Sequence, residues 1–404
     1  MTSIDSPKPV RPPVTVMNSR LHSASTLLDY MNAAVRPYLS AALISPNALS
    51  NIGSIAALLP GALTDFFGFE CPLGAEDAKA DFLICAQANH GGRAVLADHQ
   101  PGDNLPEYFH QSPVWRGIGA FSRAWADPMS VLSDKVHNIW IEFDVDHPSP
   151  RIPIPSVFIG ANTMHPLVAA FNSDTMPEHC RWLTDTAVPM LLANKLESGT
   201  RSQIARCLNH LPEGAHIFQV GLMLARKPHF VRACIRGISA TQLLEYIQAL
   251  NWEGPFRDLV ELVTMLEPLV LRFDLDLDLA DHVLPKVGLE CYLPDDPPML
   301  EMFLNRLIFL ETTSAAKAAA LQSWTGLVHE RLAPDIWPRD LTALSAFLGG
   351  RFHSTFFRWL HHVKVVVEPD RRLQAKAYLG VHHLWVAPEA LKLRLRRDAM
   401  KQEA

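Results

Sequence analysis

The stretch LVLRFDLDLDLADHVLPKVGLECYL, residues 269–293, holds two runs of strict alternation on either side of an Ala-Asp-His break. In the first run Arg272, Asp274, Asp276 and Asp278 share one face of an extended chain, and Leu271, Phe273, Leu275, Leu277 and Leu279 share the other. In the second, Lys286, Gly288, Glu290 and Tyr292 oppose Val287, Leu289, Cys291 and Leu293. A period of two with one apolar face predicts a β-hairpin, and a hairpin is antiparallel because parallel pairs need a crossover. The apolar face belongs against a core. The charged face is the part that needs a reason.

Four further pairs of extended runs occur along the chain. They lie at 81–100, turning at Asn89-His90-Gly91-Gly92; at 136–160; at 216–238, turning at Arg226-Lys227-Pro228; and at 361–381, turning at Glu368-Pro369-Asp370. The intervening segments carry helical periodicity, at 26–48, 52–66, 174–195, 199–210, 239–251, 255–267, 297–325 and 339–360, with a mixed segment at 105–133. Within the last helical segment, GGRFHSTFFRW (349–359) reads as a docking face. The order helices, hairpin, repeated five times, predicts an α+β protein of five helix-helix-strand-strand units. Ten antiparallel strands leave two long edges unless they close. The expectation is therefore a ten-stranded antiparallel barrel with helices outside, the alternative being an open antiparallel sheet with helices on one face. The expected boundaries are a disordered Pro-rich N-terminus at 1–20, one barrel domain at 21–390 and a basic tail at 391–404.

The polar faces of the other pairs are as charged as the first. Asn138, Trp140, Glu142 and Asp144 alternate with Ile139, Ile141, Phe143 and Val145. Arg232, Cys234 and Arg236 alternate with Val231, Ala233 and Ile235. His362 and Lys364 share a face, and Gln374, Lys376 and Tyr378 alternate with Leu373, Ala375 and Ala377. On an open sheet these faces meet water. In a closed barrel they line a solvated lumen able to hold a polar ligand, with Gly221, Gly288, Ala375 and Ala377 as the small residues that leave room.

Composition narrows the partners. The 404 residues are 48% hydrophobic and carry a formal net charge of −6, which argues against a nucleic-acid partner. No run of 18 apolar residues is present, the N-terminus has no apolar h-region, and six widely spaced cysteines read as buried thiols. A cytoplasmic protein without integral membrane association is expected. Asp274, Asp276 and Asp278 stand about 7 Å apart along one strand, a poor geometry for a metal loop, so no metal site is expected there. GxSxG, GxGxxG, GxxxxGK[ST] and HExxH patterns are all missing.

The pattern resembles the aromatic prenyltransferases of the αββα barrel type, a family that includes the indole and the cyanobactin peptide prenyltransferases. The strands LQAKAYL (373–379) and PKVGLECYL (285–293) are similar to that family's lysine-x-tyrosine strands, and LRFDLDL (271–277) to the strand preceding one. The resemblance covers roughly residues 20–390. It implies a transferase of secondary metabolism that attaches an isoprenoid group from an allylic diphosphate to an aromatic small molecule or peptide. It further implies diphosphate binding by Lys376, to which Lys286 would contribute from its own strand; Arg232, Arg236, Arg272 and Lys364 join them as further cations on the strength of the face they occupy, not of a motif. Trp140, Tyr292 and Tyr378 would shield the allylic cation, Glu142 would act on the acceptor, and no cofactor is expected beyond Mg2+ accompanying the diphosphate. Glu290 departs from the pattern, standing where a second lysine is common. A non-catalytic binding or carrier protein on the same scaffold, its lumen charges paired among themselves, is the competing expectation. A structural protein whose polar faces meet only water is the third.

Overall fold

The computed structural model describes residues 25–74, 78–97, 105–145, 151–169, 175–226 and 230–391. The stretch expected as a disordered N-terminus and nearly all of the basic tail lie outside these.

Eleven strands form one sheet: β1 Phe66–Pro72, β2 Asp81–Gln87, β3 Val136–Phe143, β4 Ser156–Ala161, β5 His216–Leu222, β6 Val231–Arg236, β7 Arg272–Leu279, β8 Val283–Tyr292, β9 Gly326–His329, β10 His353–Val367 and β11 Leu373–Val386. The order is β11–β1–β2–β3–β4–β5–β6–β7–β8–β10, and β10 also pairs with β11, so ten strands close on themselves. Every pairing is antiparallel. Closure removes both free edges, the liability that the open alternative would carry. The fold is the α+β barrel of five helix–hairpin units that the prenyltransferase resemblance implied. The short β9 lies outside the ring, paired with Thr355–Arg358 on the first half of β10.

The outward faces of the strands supply the core. Phe67, Phe69, Phe82, Ile84, Ile139, Ile141, Leu275, Leu277, Val287, Leu289, Val363 and Val365 are all buried in one apolar cluster with the helices. Burial of each such side chain contributes about 1.5–3 kcal/mol. The helices include Pro113–Ala126, Ser198–Asn209, Ala240–Ala249, Phe256–Leu266, Pro297–Phe309 and Ala315–Trp324. Their starts are set locally. Ser239 caps Ala240–Ala249 with Gln242 in a reciprocal capping box, and Asp296 caps a helix that opens on Pro297. With its apolar face turned out to the helices, the sheet has its polar face turned into the barrel.

Three expectations on elements and one on faces need correction. The first hairpin is β1–β2, not 81–100: Gly92–Leu96 is a short helix after Gly91, whose φ of 89° suits a residue without Cβ. The segment 52–66, read as helical, ends in β1, whose near-continuous apolar letters show no period of two. HSTFFRW, read as helical, is the first half of β10; a bulge between Leu360 and His362 interrupts its alternation. Ala375 and Ala377 face the helices in the core, not the lumen. Gly221 and Gly288 are the small residues inside: a Cβ on Gly221 would meet the Phe158 ring, and one on Gly288 would lie 2.9 Å from Lys364 Cε.

Candidate functional site

The hairpin registers decide which lumen side chains meet. β7 pairs with β8 so that Asp276 stands opposite Gly288 and Asp274 opposite Glu290, and Lys364 of β10 stands opposite Glu290. On β6 Arg232 faces Asp278 and Cys234 faces Asp276. The acidic stripe of β7 is therefore threaded between basic residues of its neighbours. Asp278 takes Arg232 in a bidentate pair at 2.7 and 3.0 Å. Asp276 takes Lys364 at 2.5 Å, and Asp274 takes both Arg236 at 2.6 Å and Arg272 at 3.1 Å. Across the β10–β11–β1 seam, Lys376 and Tyr378 both donate to Glu70, and Lys364 donates to Tyr378 at 3.3 Å. Arg226, from the β5–β6 connection, donates to Asp144 and lies 3.7 Å from Glu142.

These pairs divide the lumen into two ends. One end is filled by the Arg226–Asp144 and Arg232–Asp278 ion pairs, with Asp81 accepting from the Val145 backbone N–H, and Lys376 is bound to Glu70 beside it. From the middle towards the other end lies a cavity of about 330 Å³, lined by Phe66, Trp140, Glu142, Phe158, Phe218, Arg236, Asp276, Glu290, Tyr292, His361, His362, Lys364 and Tyr378 among others. Its aromatic walls are ordered by contact. His362 stacks on Tyr378 at 4.1 Å and on Tyr292 at 5.1 Å, Phe66 meets Trp140 edge-on at 5.0 Å, and Arg236 lies 3.9 Å over the Phe218 ring.

Burial and like charges set the protonation of the carboxyls. Burial, then Asp276, pushes Glu290 up to about 8 against the pull of Lys364. Burial, then Glu70, pushes Glu142 up to about 7, and the same causes push Asp81 up to about 8. Glu70 goes the other way: burial opposes ionisation, but Lys376 and Lys364 outweigh it and hold the group near 2. Burial keeps His361 at about 4 and His362 well below its ordinary value, so both imidazoles are neutral at pH 7. Donor oxygens of Glu70, Asp81 and Glu142 lie within 4.8 Å of one another and form the carboxylate group best placed to hold a cation among the described residues.

The residues expected at the site separate accordingly. Glu142, Arg236, Lys364, Trp140, Tyr292 and Tyr378 line the cavity together. Arg272 lies at its rim, 3.6 Å over the Tyr292 ring. Arg232 and Lys376 sit in the ion-paired end, and Lys286 pairs with Glu368 at 2.8 Å beside the β10–β11 turn, away from the cavity. Sequence reasoning missed Glu70, Asp81, Arg226, His361 and Phe66. Glu70 is hidden in FFGFECP, where only its parity with Phe66 and Gly68 marks it as facing in.

A closed antiparallel barrel with a ligand-sized, aromatic-walled lumen is the class of molecule these features define. No protein family and no curated protein matches the sequence. Among solved structures, 5-dimethylallyltryptophan synthase from Streptomyces coelicolor is similar with a TM-score of 0.46 at 12% identity, over 88% of this chain and 98% of that one. The same enzyme in complex with DMASPP and Trp gives 0.45 at 13% identity, over 88% and 95%. AnaPT from Neosartorya fischeri gives 0.45 at 11% identity, over 88% and 94%. At such distance the functional reading rests on this chain's own side chains. No described helix is long and apolar enough to cross a membrane.

Proposed function

We propose that this protein transfers an isoprenoid group from an allylic diphosphate to an aromatic acceptor held in the lumen. The observation that carries the reading is one cavity in which Arg236 and Lys364 stand amid aromatic walls formed by Phe66, Trp140, Phe158, Phe218, Tyr292 and Tyr378, with Glu142 on β3, five strands round the ring from β8. Ionisation of an allylic diphosphate needs fixed cations for the leaving group and π faces for the carbocation, since rings stabilise it without trapping it. Glu142, poised near 7, is suited to accept the proton released when the ring rearomatises. Glu290, held protonated, adds no negative charge to repel the diphosphate near neutral pH. Magnesium enters this reading only as a counter-ion of the diphosphate. Localisation to the cytoplasm and a place in secondary metabolism belong to the same proposal.

One observation favours a second reading, ligand binding without chemistry. Each lumen cation named above already has a carboxylate partner, so a diphosphate must displace Asp274 and Asp276 to reach Arg236 and Lys364. Thermal-shift titration with dimethylallyl and geranyl diphosphates, followed by mass spectrometry of mixtures with aromatic acceptors, separates the two. The transferase reading expects a raised melting temperature with diphosphate and an acceptor heavier by one isoprenoid group. Stabilisation by aromatic compounds alone, without diphosphate binding or product, supports the second reading.

A further inference from the structure

His361 and His362 are consecutive on β10, and in a regular strand their side chains would point to opposite faces. Both line the cavity instead, because the bulge between Leu360 and His362 turns two neighbours to the same side. Their Nδ1 atoms stand 2.7 Å apart, within hydrogen-bond distance. Both rings are neutral at pH 7, so one Nδ1 carries the hydrogen and the other accepts it. His361 is the half-buried member, beside Phe66 and Trp359 at the rim, and His362 is buried behind it.

The other nitrogen of His362 ends in an unfinished contact. Nε2 has no hydrogen-bond partner among the described residues and lies 3.7 Å from Oε1 of Glu290. Oδ1 of Asp276, buried and equally without a partner, belongs to the strand beside Glu290. Two orphaned atoms therefore flank a carboxyl that is kept protonated near neutral pH. Its other contacts lead to the anion site. Tyr292 donates to Oε2 of Glu290 at 3.0 Å and itself accepts from Arg236 at 3.3 Å, and Lys364 stands opposite Glu290 on β10. Glu290 thus sits between the two cations proposed for the diphosphate. Only 7% exposed, it reaches solvent through its polar neighbours.

We propose that Glu290 is the general acid that protonates the departing diphosphate, and that His361 and His362 relay a proton to it from the rim. The proposal deepens the transferase reading and rests on it. The bond between the allylic carbon and its diphosphate oxygen breaks with both electrons going to oxygen, and the Glu290 proton moves to the diphosphate. The carboxylate then takes the Nε2 proton of His362. His362 takes the Nδ1 proton of His361 at its own Nδ1, and His361 takes a proton from water at Nε2. Each imidazole gains one proton and loses one, so neither is left charged in the buried wall. Glu142 receives the acceptor's proton across the ring, and the two transfers balance over a turnover. Glu290 thereby has a task at the position where a second lysine is common.

The test joins calorimetry to rapid-mixing kinetics near neutral pH, with dimethylallyl diphosphate and 3-methylindole as probes. Glu290→Gln keeps the shape of the side chain but has no acidic proton to give. It is expected to bind dimethylallyl diphosphate with close to wild-type affinity and to transfer about a hundredfold more slowly, in the first turnover and in the steady state alike. His361→Phe is expected to bind as wild type does and to complete its first turnover at the wild-type rate, on the proton already at Glu290. Its later turnovers, which need that proton resupplied, are expected to run about tenfold slower. A rim residue that only supported the structure would slow both phases together. Transfer by Glu290→Gln at the wild-type rate, or loss of its binding in step with its rate, overturns the proposal. So does a His361→Phe variant whose two phases are both unchanged or equally slowed. Failure of the transferase reading shows separately, as no product from wild type, and takes the acid with it. An active wild type with unaffected variants removes the acid alone.

Discussion

Lys364 is the residue through which most of the lumen is wired. Its side chain is 7% exposed and is bound to Asp276 at 2.5 Å and Tyr378 at 3.3 Å. Removing one member of such a pair strands the other's charge, so Lys364→Met is expected to lower stability by about 3–5 kcal/mol in denaturant titration. Adding Asp276→Asn removes the stranded charge and is expected to recover most of that loss. A double variant no more stable than the single one would show that Lys364 matters by packing instead. Glu290 shows what letters alone cannot say. In sequence it reads as a negative charge where a second lysine is common. In the barrel it is a buried carboxyl kept largely protonated at neutral pH by desolvation and by Asp276. Side-chain face was legible from parity at Glu142, Arg236, Lys364 and Tyr378. Protonation was not, because it depends on burial and on charged partners from other strands that only the fold brings close.

At the scale of elements, strands with one polar and one apolar face were legible and strands without were not. β3, β6, β7, β8 and β11 carry the alternating runs. β1 carries Phe66 and Gly68 on its inner face, and the first half of β10 is buried between β9 and β11, so neither shows a period of two. Hidden with β1 was Glu70, the acceptor of Lys376 and Tyr378. β8 offers a direct test of the lumen's shape. Gly288→Val fills the space between Lys364 and Asp276, and it is expected to weaken binding of any lumen ligand by about tenfold with unchanged secondary structure by circular dichroism. Undiminished binding would place the ligand elsewhere. On the helical layer, Ser239→Ala removes one half of the capping box with Gln242 and is expected to cost about 1 kcal/mol. No change in the unfolding midpoint would show that the cap is dispensable there.

For the molecule as a whole, the proton balance fixes how stability depends on pH. Asp81, Glu142 and Glu290, raised to about 8, 7 and 8, hold protons that the unfolded chain releases near its ordinary carboxyl values of 3.8–4.5. Their stabilising contribution is complete below those values and is lost as pH rises through 7 to 8. His361 and His383, lowered to about 4, and His362, lowered well below its ordinary value, do the opposite: their contribution is present above 6.5 and is lost as pH falls. The two sets oppose each other between 4.5 and 6.5. Above 6.5 the carboxyls lose protons, and His90, raised by its hydrogen bond to Asp65, changes in the same sense, so stability is expected to fall from pH 6.5 to 8, by up to about 1.4 kcal/mol per pH unit for each proton released. Glu290→Gln should flatten that slope in pH-dependent denaturation, and an unchanged slope would mean that Glu290 is ionised in the folded protein. Barrel closure was the part of the whole least legible in sequence. The pairing of β10 with β11 continues through β1 to join the ends of the chain's sheet, and no local signal records which two strands meet last.

Arg236 gives the most direct test of the proposed chemistry, because Asp274 keeps Arg272 as a partner when Arg236 is replaced. Calorimetric titration of dimethylallyl diphosphate into wild type and Arg236→Gln is expected to show saturable binding to the first and binding about tenfold or more weaker to the second, both proteins remaining folded. No binding to wild type, or equal binding to both, would contradict a diphosphate site in this lumen.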